Sequence, residues 1–343
     1  MKKQINQTKK NLFKRIFVKI CRLLGYEIID QNNLYLPSIG KFFNEELNVS
    51  GKKSINLPLG EVKIHNPVKS LDVIIKTCTS INLVSQSKKR VFEEKKSEYT
   101  FRSINSLIKS INLAKKNMKN ISFKIHLIDH NSDSNDLEII KKKLIKSGIV
   151  HNIINLDTSD FKNKINNINQ KNETVSKNMF STMSSIYKSF LVAKESCEDL
   201  VYFVEDDYLH QKEAISEMIF TYERISSQFN KDFIICPTDY PFLYNKIENT
   251  QIFLGSKRHW RSTKETLLTF MLSRKLIEKH WVSLIQMCKI EHSPFEKPLH
   301  KIYENELCLS PIPSLAMHCT NVNSVFGLSP NYDWKKNWEE NID

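Results

Sequence analysis

Three consecutive carboxylates, Glu205, Asp206 and Asp207, directly follow the apolar run Leu200-Val201-Tyr202-Phe203-Val204. The run reads as a buried strand, and the C-terminal end of a strand is where open α/β sheets bind ligands. Three adjacent acids repel one another when water is withdrawn, so the pattern calls for positive charge beside them. A hard divalent cation, Mg2+ or Mn2+, bridging to a diphosphate is the natural candidate. The same triplet also suits a solvated turn capping the next helix, whose N-terminus favours carboxylates. On these residues alone both readings stand.

Other chemistry-bearing residues fall at similar places. Lys76-Thr77-Cys78-Thr79 ends the apolar run Leu71–Ile75, and Asp129-His130-Asn131-Ser132-Asp133 ends Phe123–Ile128. An aspartate at such a strand end also makes an Asx-turn. A late extended segment from Cys308 delivers His318, which is either a metal ligand or a core histidine. Ser293-Pro294-Phe295-Glu296 reads as a helix start, where the helix dipole favours a carboxylate.

The elements that would position these residues alternate from Ser70 onward, as an α/β protein with a mostly parallel sheet requires. After the first strand, helical spacing runs over Tyr99–Asn117, Asp136–Lys146 and Asn178–Glu195. Strands fall between and after these helices, at 123–128, 150–156 and 200–204. Beyond them come a helix near Gln211–Gln228, strands at 233–236 and 251–254, a helix over Lys264–Met287 and a short helix over Glu296–Asn305. The polar stretch 157–177 reads as an excursion or mobile loop.

In order and context, about residues 70–320 resemble the GT-A glycosyltransferases, particularly family-2-like members. The resemblance rests on the polar end of the first strand, the Leu127-Ile128-Asp129-His130-Asn131-Ser132-Asp133 pattern, and Glu205-Asp206-Asp207 as a variant of the family's DxD motif. It implies a Rossmann-like, mostly parallel sheet flanked by helices, with an N-terminal accessory helical segment. It also implies a Mn2+ or Mg2+ ion and a nucleoside diphosphate sugar, UDP- or GDP-linked, whose sugar passes to an acceptor hydroxyl. Asp207 would then be the principal metal ligand, joined by Glu205 and His318. Glu205 and Asp206 would also reach ribose, sugar or metal-bound water, and Asp129 the base or ribose. Glu296 is the general-base candidate for an inverting reaction, ahead of Asp239. Thr77 and Arg102 are further donor-site candidates, although Arg102 equally suits a surface helix. In His259-Trp260-Arg261, the arginine could pair with the diphosphate and the tryptophan either stacks on a sugar or packs. The chain lacks the Q-x-x-R-W string of processive synthases, so transfer of a single sugar is expected.

Composition narrows the alternatives. The formal charge is +13, from 51 basic and 38 acidic residues. That suits an anionic partner, although Lys, Asn and Ile abundance alone accounts for much of it. No nucleic-acid-binding signature is present, and no nucleic-acid partner is expected. Only 7 glycines occur, with no glycine-rich phosphate loop, which counts against a sugar-phosphate nucleotidyltransferase. Seven cysteines, an odd number without a C-x-x-C pair, suit a reducing compartment. In residues 11–24, Leu12, Phe13, Ile16, Phe17, Ile20, Leu23 and Leu24 share one helical face and Arg15, Lys19 and Arg22 another. Such a helix suits the anionic inner face of a membrane, or docking on the domain. Residues 1–65 therefore read as a basic accessory segment, 70–320 as the catalytic domain and 321–343 as a tail packed on it. The expected location is cytoplasmic, with peripheral membrane contact and a glycan or lipid-linked acceptor. A non-catalytic basic adaptor on a degenerate domain of this type is the rival reading.

Overall fold

The structure is a computed structural model, and it describes residues 12–26, 54–57, 60–80, 92–319, 329 and 331–342. The chain divides into a small unit, Met1–Leu47 with Asn56–Glu61, and a large one, Asn48–Ile55 with Val62–Asp343. In the small unit, helix α1 (Leu12–Leu23) forms where the apolar spacing places it, with no acidic residue in its first turn and Arg22 in its last. Much of the accessory segment expected over 1–65, namely residues 1–11, 27–53, 58 and 59, lies outside the described residues. Two short strands follow, β1 (Ser54–Leu57) and β2 (Gly60–Lys63).

The main sheet of the large unit starts from β3 (Ser70–Thr77), followed by α2 (Lys96–Asn117), β4 (Ser122–Asp129), α3 (Ser134–Ser147) and β5 (Val150–Asn155). It continues through α4 (Lys177–Ser196), β6 (Leu200–Glu205) and β7 (Tyr208–His210). Local signals set the boundaries: Asp133 caps α3 by accepting from Asn135 N–H and Asp136 N–H, Gly148 ends it in the left-handed region, and Ser176 caps α4. Strands β3 and β6 are near-continuous apolar runs because helices cover both faces of the sheet.

These strands form one side of a nine-stranded sheet in the order β5-β4-β3-β6, all parallel. The path steps outward from β3 to β4 to β5 and then returns across β3 to β6. Right-handed crossovers therefore put α2 and α3 on one face and α4 on the other. The reversal falls between β3 and β6, and it opens a crevice at their C-terminal ends, where doubly wound sheets hold ligands.

The other side of the sheet is mixed in sense, with order β6-β11-β8-β12-β10-β9. Its members are β8 (Ile234–Ile235), β9 (Ile252–Leu254), β10 (His259–Ser262), β11 (Phe270–Ser273) and β12 (Cys308–Ile312). The expected parallel arrangement thus holds in the half that carries the acidic turn. Helices α5 (Ala214–Phe229), α6 (Arg274–Lys279), α7 (Trp281–Lys289) and α8 (Lys297–Tyr303) pack around this half. Strand β13 (Ala316–His318) pairs with β7, and α9 (Trp334–Glu339) closes the chain.

Two expectations are corrected. The single helix over Lys264–Met287 is instead strand β11 followed by α6 and α7. The run Leu267 to Leu272 is apolar at both helical and strand spacing, and pairing with β6 on one side and β8 on the other decides for the strand. Ser273 then starts α6 by accepting from Leu276 N–H. The stretch 157–177 is also anchored: a 3-10 turn spans Thr158–Phe161, Phe161 and Ile165 are buried, and Asn166 N–H donates to Lys289 C=O.

Two buried features of α5 yield stability predictions. Glu217 accepts from the N–H groups of Ser256 and Lys257 and from Trp260 Nε1, which folds the 255–260 turn against the helix. Gly255 sits inside this contact, and a Cβ there would collide with both Trp260 and Glu217. Gly255→Ala is therefore expected to destabilise by about 1–3 kcal/mol, read from urea unfolding midpoints. Six residues further along the helix, buried Glu223 accepts from Val68 N–H at 2.9 Å. Burial, helped by Asp199, pushes its carboxyl up to about 7 from 4.5. The folded chain then holds this proton more tightly than the unfolded chain. The resulting stability is full below about pH 4.5 and is lost as pH rises through 7. Glu223→Gln should gain about 2–3 kcal/mol relative to wild type between pH 5 and pH 8, measured by unfolding at each pH.

Candidate active site

The acidic turn projects from the end of β6 into the crevice beside β3, and each of its carboxylates meets a different basic side chain. Lys76 and Glu205 are register partners on adjacent parallel strands, and Lys76 Nζ lies 3.6 Å from Glu205 Oε1. Asp206 receives Lys96 Nζ at 2.5 Å and the Thr100 hydroxyl at 2.8 Å, both from the first turns of α2, and Cys78 N–H at 3.4 Å. Asp207 Oδ2 lies 3.0 Å from His318 Nε2.

The last contact is built by the β7·β13 ribbon, which sets His318 opposite Tyr208, while Cys319 N–H donates to Asp207 C=O at 2.9 Å. The imidazole stacks on the Tyr208 ring with centroids 4.6 Å apart, and the Tyr208 and Tyr240 hydroxyls meet at 2.8 Å. Burial opposes charge on His318, but Asp207 beside it outweighs that and raises the imidazole above its ordinary value.

Glu296, the N-cap residue of α8, lies within reach of the charges of Glu205, Lys76 and His318. Burial is the main cause that pushes its carboxyl up to about 7; Glu205 adds to the shift, while Lys76 and His318 oppose it. Residues from the end of β6, the end of β13 and the start of α8 thus converge at one edge, which no single stretch of sequence would bring together.

Asp129 lines the adjoining rim, with both carboxylate oxygens engaged. Thr77 Oγ1 donates to Oδ1 at 2.8 Å, and Ser132 N–H approaches Oδ2 at 3.3 Å. The strand-end turn expected of an aspartate here is present, and Asp133 N–H donates to Thr79 Oγ1 to tie the two loops together.

Three candidates stand outside this group. Arg102 is buried against the C-terminal helix: its guanidinium bonds Glu98 and Trp338 C=O and lies over the Trp338 ring at 4.2 Å. Asp239 and Arg261 pair with each other at 2.7 Å, and the Tyr244 hydroxyl donates to Asp239. A carboxylate with no exposed surface, held by an arginine and a tyrosine, is not offered to an acceptor hydroxyl. Trp260 is fully buried and so packs.

Lys76, Lys96 and Thr100 had not been singled out from sequence. One signal was there: Lys95 and Lys96 begin α2, where the helix dipole favours acids, so two lysines at that end need an anion nearby.

The donor atoms of Asp207 and His318 stand at a spacing that suits a metal ion. Two ligands at right angles on an ion with bonds of about 2.1 Å stand about 3 Å apart, and the Asp207–His318 separation is 3.0 Å. A carboxylate and an imidazole, completed by phosphate and water oxygens, therefore fit a divalent ion. Among the described residues, three ligand atoms converge elsewhere, at buried Asp72, His126 and Cys197. There His126 Nε2 lies 2.9 Å from Asp72 Oδ1, within hydrogen-bond distance in the core.

No protein-family profile matches the chain, and no curated protein matches it in sequence. It is similar in shape to several solved structures. Staphylococcus aureus TarS (residues 1–349) aligns at 11% identity and a TM-score of 0.38, over 70% of this chain and 57% of that one. The glycosyltransferase GlyE of Streptococcus pneumoniae aligns at 10% and 0.41, over 81% and 61%. A UDP-glucose pyrophosphorylase complexed with UDP-glucose aligns at 6% and 0.39, over 80% and 97%. The chain thus spans less than two thirds of TarS and of GlyE. At such identities and TM-scores, likeness of shape carries no argument for shared chemistry.

Proposed function

We propose that this chain is a metal-dependent glycosyltransferase of the GT-A type, moving one sugar from a nucleoside diphosphate sugar to an acceptor hydroxyl. The observation that carries the reading is the convergence of Asp207, His318 and Glu296 on the crevice between β3 and β6. A carboxylate–imidazole pair suited to a divalent cation stands there beside a carboxyl group poised near neutrality. The ion, when bound by Asp207 and His318, neutralises charge on the departing diphosphate.

The chain's own residues supply the rest. Tyr208 fixes the plane of His318, and the rim of Thr77, Asp129 and Ser132 shapes the side where base and ribose would rest. Glu296 takes the acceptor proton as the new bond forms, a task suited to a base whose carboxyl titrates near working pH. Its placement favours an inverting reaction. Glu205 and Asp206 act by holding cations at the crevice. The acceptor is a glycan or lipid-linked hydroxyl of the cell envelope, reached from the cytoplasmic face of a membrane on which α1 lies. The apolar residues of α1 are exposed along one face. Among the described residues no helix is long and apolar enough to cross a membrane.

The test is release of UDP or GDP from a panel of nucleotide-sugars incubated with the protein and Mn2+, with and without candidate acceptors. Acceptor-stimulated, metal-dependent release supports the reading. A nucleotidyltransferase would instead consume a sugar phosphate and a nucleoside triphosphate, and turnover of that pair would replace it. Salt-sensitive binding to polynucleotide or anionic vesicles, without nucleotide-sugar turnover, would leave the adaptor.

A further inference from the structure

We infer that Lys76 and Lys96 form a cradle for the donor's diphosphate, and that Glu205 and Asp206 serve to hold those two ammonium groups in the crevice. The inference rests on the reading above and assigns the two acids a positioning role. Lys76 points to the face covered by α4, since it lines the same pocket as Ile186 and Phe190. Lys96 comes from α2, on the opposite face. The two cations therefore flank the switch-point crevice from both sides of the sheet, at the edge where such sheets bind ligands.

Both side chains are largely withdrawn from water, at 16% and 15% exposure. Ordering two long, flexible side chains there costs conformational entropy and desolvation, and an ion pair offsets this only partly. Two such pairs side by side, at the one edge where a ligand fits, point to an anion as the further partner. Asp206 is held by Lys96, Thr100 and the Cys78 N–H together. Glu205 is fixed from behind, its N–H donating to Thr269 Oγ1.

An ammonium presents three rotatable donors, so it can hold a carboxylate oxygen and a phosphate oxygen at once. The lysines offset two of the three carboxylates, which leaves Asp207 with His318 for the cation. Diphosphate recognition then has a component that needs no metal.

The experiment is calorimetric titration of the full chain with inorganic pyrophosphate and with uridine, in EDTA, followed by UDP with Mn2+. Wild type should bind pyrophosphate without metal, and Lys76→Gln and Lys96→Gln should each weaken that binding about tenfold or more. Uridine should bind all three proteins alike. Lys76→Arg and Lys96→Arg keep the charge and should retain most of the affinity, which separates loss of charge from loss of fold. Thr100→Val, which removes a bond to Asp206 but no cation, should weaken it less than Lys96→Gln. Pyrophosphate binding unchanged in both glutamine variants, or absent from wild type, overturns the cradle. Pyrophosphate binding without any UDP affinity keeps the cradle and removes the transferase reading.

Discussion

Asp207→Ala is expected to abolish metal-dependent nucleotide binding while leaving the fold intact. At the crevice Asp207 is placed to share an ion with His318, its carboxylate oxygen standing 3.0 Å from His318 Nε2. Removing the charged ligand takes away the attraction that holds a divalent ion in a water-poor site. Lewis-acid stabilisation of a leaving diphosphate is worth several kcal/mol. Turnover should therefore fall by about a thousandfold, and the Mn2+-dependent part of UDP binding should vanish from calorimetric titrations. His318→Ala should act in the same direction but less severely, because the carboxylate remains. UDP bound by Asp207→Ala as tightly as by wild type, with Mn2+ present, would place the metal elsewhere.

Glu296→Gln should lower kcat by about 10²–10⁴-fold with little effect on UDP binding, since a positioned base contributes that much to a proton transfer. The two variants thus separate: one loses the donor, the other loses only the chemistry. The pH profile gives the second check. Burial, with Glu205 nearby, lifts the Glu296 carboxyl to about 7, so below that pH the protonated acid cannot accept the acceptor's proton. Log kcat/KM is expected to rise by one unit per pH unit below about 7 and to level off above it. Glu296→Gln should flatten this limb. A profile unchanged in the variant would assign the proton to another group.

Parts of this architecture were legible in the residue order. Strands β3, β4 and β6 announce themselves as short apolar runs, and each is followed by a polar or acidic stretch at the end where a parallel sheet collects its ligands. Helices α2, α3 and α4 carry their apolar residues at helical spacing and were readable for that reason. Strand β11 was not, because Phe270 to Leu272 is apolar at every position and fits a helix or a strand alike. Its state depends on pairing with β6 and β8, which are far away in sequence. Asp239 and Arg261 look like site residues in isolation. Only packing shows that they pair with each other, at 6% exposure or less for either side chain.

What the sequence determined by itself was therefore local: which segments are apolar enough to be buried strands, which are periodic enough to be helices, and that Glu205, Asp206 and Asp207 emerge together from one of them. What the tertiary structure decided was the partnership of each acid. Lys76 reaches Glu205 through parallel register, Lys96 reaches Asp206 from the start of α2, and His318 reaches Asp207 through the β7·β13 ribbon. The physical reason is range. Apolar periodicity acts among neighbours a few residues apart, whereas charge acts through space over several ångströms and is indifferent to sequence distance. Which cation meets which carboxylate is fixed only when the sheet closes and the crevice forms.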